Sequence, residues 1–89
     1  MTNDHLLIDQ LNEQLKSLRS LRKKLFQNVT YINVSCSAIP KALRTTYALN
    51  RQLLSSKDPL NKKHSIELSD EITNVAQSMA NFISSFQHN

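Results

Sequence analysis

Residues 8–53 read IDQLNEQLKSLRSLRKKLFQNVTYINVSCSAIPKALRTTYALNRQL, and the fold turns on how this stretch is divided. Its apolar residues fall into two columns of a seven-residue repeat. The first, a, is Ile8, Leu15, Arg22, Val29, Cys36, Leu43, Asn50; the second, d, is Leu11, Leu18, Leu25, Ile32, Ile39, Thr46, Leu53. Alternating steps of three and four place both columns on one face of a helix, as in a coiled-coil seam. Eleven of the fourteen positions are apolar, counting Cys36.

Working outward, the composition points the same way. The chain has 89 residues, no glycine, two prolines and no tryptophan. A chain of this size makes one domain with a small core. Without glycine the φ > 0 turns of β-hairpins are hard to build, which favours an all-α chain with few connections. The single cysteine, Cys36, has no internal disulfide partner. No basic start leads into an apolar run, and no apolar stretch is long enough to span a bilayer. The expectation is a soluble, intracellular protein, cytoplasmic or nuclear, with no membrane insertion. The Asn28-Val29-Thr30 and Asn33-Val34-Ser35 triplets then read as chance matches to the glycosylation pattern.

Residues 29–39 are dense in β-branched side chains, and Ile32, Val34, Cys36 and Ala38 alternate as a strand would. A lone strand would have no partner, and the heptad columns continue through it, so helix is the better reading. Pro40 lacks an N–H and clashes with the carbonyl four residues back, that of Cys36. It would either kink a long helix or sit in the first turn of a new one capped by Ser37. The columns stay in phase across Pro40, which favours one long helix over residues 4–54, kinked near Pro40 and about 69 Å long over residues 8–53. Thr2, Asn3 or Asp4 would cap its start.

Residues 55–64 form the expected loop, with Asp58-Pro59 as the turn signal. Ser65 would cap a last helix over 65–87, with Glu67, Asp70 and Glu71 near its positive end. Its stripe is Leu68, Ile72, Val75, Met79, Phe82 and Phe86, widened by Ala76 and Ile83. Residues 87–89 would fray.

A last helix of about 34 Å covers half of one twice as long. Folded back, it lies against residues 33–54 and leaves the first half of the seam open. The expected partner interface is therefore Ile8, Leu11, Leu15, Leu18, Leu25 and Val29, in a bundle or coiled coil completed by other helical subunits, with hetero-oligomers favoured over homo-oligomers. Arg22, Thr46 and Asn50 interrupt the seam and could fix its register, with Leu21 able to replace Arg22 in a wider bundle.

Charge is segregated along the chain. All eleven Lys and Arg lie within residues 16–63, where Asp58 is the lone acid. Asp4, Asp9 and Glu13 precede that segment and Glu67, Asp70 and Glu71 follow it, leaving a net charge of +4. Lys16, Lys23, Arg44 and Arg51 share one heptad column, and Arg19 and Lys24 extend it. On a continuous helix they would make a one-sided basic stripe, fit to contact nucleic acid or another polyanionic surface non-specifically. The better reading is a solvated face that pairs with acidic positions on partner helices. There is no aromatic interleaving along the stripe and no helix-turn-helix spacing.

Catalysis has little to stand on. His5, His64 and His88 are scattered, no metal-ligand spacing occurs, and no glycine-rich phosphate loop can form. Cys36 on the seam reads as a small buried hydrophobe. No cofactor or metal is expected, and the chain is not expected to be an enzyme. The expected role is a structural subunit of a helical assembly. The alternatives are a basic nucleic-acid accessory protein and a small helical adaptor or inhibitor docking on a target. At the level of class, and through no motif, the pattern resembles the small helical subunits of multi-protein assemblies.

Overall fold

The computed structural model describes residues 4–87, and within them the chain is a helical bundle without strands. Helix α1 spans Asp4–Gln27, α2 spans Ile32–Leu53 and α3 spans Pro59–Gln87. A 3-10 turn at Val29–Tyr31 joins the first two helices. The all-α expectation holds. The single long helix over 4–54 does not: it is divided at Asn28, not at Pro40. Thr2 and Asn3, two of the expected caps, lie outside the described residues, as do residues 88 and 89.

The reversal at Asn28 is made without glycine. Asn28 is extended (φ −154°, ψ 112°), and its side-chain oxygen accepts from the Thr30 N–H at 3.1 Å. Its own N–H still reaches back to the Lys24 carbonyl at 2.9 Å, while its carbonyl accepts from Tyr31 N–H at 3.3 Å. One extended residue and one tight turn thus redirect the chain, with no residue at positive φ. Asn is suited to this because its side chain competes with the helical hydrogen-bond ladder. Val29 and Thr30, β-branched, lose little by leaving a helix.

Contacts fix the directions. Asp4 accepts a hydrogen bond from Asn61 Nδ2 at 2.9 Å, and Phe26 packs on Phe82 with ring centroids 4.5 Å apart, so α1 and α3 run parallel. Asn50 of α2 accepts from Ser65 Oγ of α3, so α2 runs antiparallel to it. The result is an up-down-up rod of 50 × 18 × 17 Å.

The α1 face expected to await another protein is covered from within. Leu11 and Leu25 are fully buried and Leu15 and Leu18 nearly so, packed with Ala42, Leu49 and Leu53 of α2 and Leu68, Ile72, Val75, Met79 and Ile83 of α3. Ile8 is half-buried against the same core. Val29 instead lies exposed in the turn. Folding α2 back supplies the third helix that the length argument lacked. Each fully buried Leu removes apolar surface worth about 1.5–3 kcal/mol from water.

Beyond the turn the register shifts. Along α2 the buried positions are Ser35, Ala42, Thr46, Leu49 and Leu53, with Ile32 and Ile39 packed at the edge. The d column survives, whereas the a column slips by one residue from Cys36, Leu43 and Asn50 to Ser35, Ala42 and Leu49. Cys36 is consequently exposed rather than buried. A helix that starts afresh after a reversal has no reason to keep the phase of the one before it.

Pro40 lies inside α2, which continues through it. Pro40 and Cys36 are both on the solvent side, so water can reach the Cys36 carbonyl that Pro40 leaves without a donor. Helix α3 begins at Pro59, earlier than Ser65. Asp58 Oδ1 accepts from the Leu60 N–H at 3.0 Å, as a capping residue does, and Pro59 occupies the first helical position, where a missing N–H costs nothing. Ser65 is a buried interior residue instead. The expected α3 stripe otherwise stands: Leu68, Ile72, Val75, Ala76, Met79 and Ile83 are buried, Phe82 is half-buried, and Phe86 is exposed.

Candidate interaction surfaces

Polar side chains tie the rod together at defined levels. At the open end, Asp4 is buried at the start of α1 and accepts from Ser56 Oγ in the second loop as well as from Asn61. Ser56 Oγ in turn accepts from the Asp58 N–H at 3.2 Å. One carboxylate therefore joins α1, the α2–α3 loop and the first turns of α3. Among the seam's polar interruptions, Thr46 returns its hydroxyl hydrogen to the Ala42 carbonyl at 2.7 Å, and Asn50 pairs with Ser65 across α2 and α3. Arg22 is half-buried beside Leu21, which packs against the core.

The basic residues do not form one stripe. Arg19 lies on the edge of α1 that adjoins α3, where it forms an ion pair with Glu71, and Lys16 and Lys23 are exposed further round α1. Both partners are about half exposed, so the pair adds little stability. Arg44 and Arg51 fall on the side of α2 opposite its buried column, by helical periodicity. Arg51 lies over the Tyr47 ring at 5.6 Å. Lys24 is exposed in the last turn of α1, where its charge complements the helix dipole. The reversal at Asn28 thus distributes the six cations over separate sides of the rod.

What sequence reasoning missed is the surface that the register shift brings out. Leu43 is 37% exposed, Tyr47 67% and Leu54, the residue that caps α2, 54%, and Leu43 and Tyr47 fall on the edge of α2 that faces α3. Leu43, Tyr47 and Asn50 line a groove with Ser69 and Thr73 of α3, and Ile66, also exposed, shares the α3 face that carries Thr73. Cys36 extends the α2 side. Leu43 and Cys36 are a-column residues displaced from the core, visible in the sequence but expected on the buried side, whereas Tyr47 and Leu54 fall in neither column.

A second apolar cluster closes the turn end. Phe82 stands between Phe26, at 4.5 Å and an interplanar angle of 44°, and Phe86, at 5.0 Å and 69°. Phe26 and Phe86 are about half exposed, as is Val29 directly beyond.

Among the described residues, no group of three or more His, Cys, Asp or Glu side chains is placed to hold a metal ion, and no helix is long and apolar enough to cross a membrane. Comparison with protein-family models, curated proteins and solved structures finds no match for this chain.

Proposed function

We propose that this chain is a non-enzymatic interaction subunit: a short helical rod that presents the α2–α3 edge to helices of other proteins. The observation that supports this reading is the exposed column of Leu43 and Tyr47 on α2, continued by Leu54 at its cap, with Ile66 beside the same groove. Their spacing of four and seven residues is that of a helix face meant to be covered. A shallow groove between two helices accepts a third helix laid along it, with bulky side chains from the partner seated between Leu43, Tyr47 and Ile66.

Association with a different protein is favoured over self-association by charge. Arg51 lies over the Tyr47 ring at the rim of this edge, so a two-fold contact between copies would bring like charges toward one another. The polyanion reading has less support, because the cations it relied on lie on separate sides.

Purification of the tagged protein, with mass spectrometry of what accompanies it, tests the proposal. The expected result is a defined set of helical proteins in stoichiometric amount, lost on Leu43→Asp with Tyr47→Asp while the variant keeps its helical spectrum and melting transition. Retention of the same set by that variant would overturn it. So would a stoichiometric nucleic acid in place of protein.

A further inference from the structure

The turn end of the rod has a composition of its own. From Gln14 to Lys57 the chain contains no Asp or Glu, and α3 contains no charged residue after Glu71. The up-down-up topology gathers these acid-free segments at one end: the last turns of α1, the first turns of α2 and the last turns of α3. The charges left there are cationic, Arg22, Lys23 and Lys24, in the two turns that lead to Phe26. Lys23 and Arg22 precede Phe26 by three and four residues, so they share its face of α1. Lys24 falls on the other side of α1 and complements the helix terminus. Three phenylalanine rings gather on the Arg22 and Lys23 side, two of them half exposed, and Val29 is exposed in the turn that follows.

We infer that this aromatic, cation-flanked end is a second docking surface, and that its occupant is an acidic protein segment carrying bulky apolar side chains. The apolar side chains would cover Phe26, Phe86 and Val29. The carboxylates would meet Arg22 and Lys23, which no acid of this end neutralises. Single-stranded nucleic acid fits less well, because stacking needs ring faces open to bases. Here the rings are tilted or edge-on and packed against one another. An anionic bilayer would need a broader apolar face than one short cluster offers. This surface is separate from the α2–α3 edge, and its test is read at different residues.

The test is selection of a random-peptide display library on the immobilised full-length protein, followed by mapping of backbone amide shifts with a selected peptide. Expected are peptides enriched in Asp and Glu interleaved with Leu, Phe or Trp, and shifts confined to Arg22–Val29 and Phe82–Phe86. Lys23→Glu, and separately Phe86→Ser, should each weaken binding about tenfold or more and leave the melting transition in place. Arg44→Glu, an equal charge change on another side, should leave binding within about twofold by the same measure. The inference is overturned if the selected peptides lack acidic enrichment or if the shifts fall on the α2–α3 groove. It is also overturned if oligouridine or phosphatidylserine vesicles bind through these residues while acidic peptides do not.

Discussion

Ser35 is fully buried, and its hydroxyl has no hydrogen-bond partner. It lies in the second turn of α2, close to the reversal, where small side chains let α2 approach α1. Ala keeps that approach and removes the unmet hydroxyl, so Ser35→Ala should leave stability unchanged or raise it by about 1 kcal/mol, read from the urea midpoint. Ser35→Leu should overpack the same site and cost about 1–3 kcal/mol. The opposite case is Leu25, fully buried on α1: Leu25→Ala should cost about 2–5 kcal/mol in the same measurement. Asp4 differs again, because it accepts hydrogen bonds from Ser56 and Asn61. Asp4→Ala would leave those donors unpaired at the open end, and amide exchange should quicken first in the α2–α3 loop.

At the scale of elements, two helices were legible and one was not. The buried faces of α1 and α3 follow from Leu11, Leu15, Leu18, Leu25 and from Leu68 to Ile83, because an uninterrupted 3.6 period leaves one apolar side. The break at Asn28 was hidden because the heptad spacing runs through it by coincidence of phase, and because the turn uses an extended Asn rather than a glycine. Once the break was missed, Cys36 and Leu43 were assigned to the core and the six cations to one stripe. Pro40 attracted the break instead, yet α2 tolerates it on the solvent side. Pro40→Ala should therefore stabilise the protein by about 1–3 kcal/mol. Replacing Asn28, Val29 and Thr30 together by Ala should favour the continuous helix. α1 would then have to find its cover in a second copy, and sedimentation should show an exchanged dimer.

At the scale of the whole molecule, covering the α1 seam from within changes what the rod offers to others. A chain with an open row of Leu would need a partner to fold, whereas this rod buries that row itself. It then exposes two smaller surfaces, the α2–α3 edge and the aromatic turn end. The pure protein should accordingly melt cooperatively at a temperature independent of its concentration.

Helices α1 and α2 are antiparallel neighbours in this fold, and one distance decides it. With Cys36→Ser as background, spin labels at Asp9→Cys and Gln52→Cys sit on exposed positions of the two helices, and dilution into unlabelled protein restricts the reading to one chain. The bundle predicts a separation of about 10–25 Å, allowing for neighbouring helix axes and label arms. A continuous helix through Asn28 would place the labels about 65 Å apart, and that distance would contradict the fold.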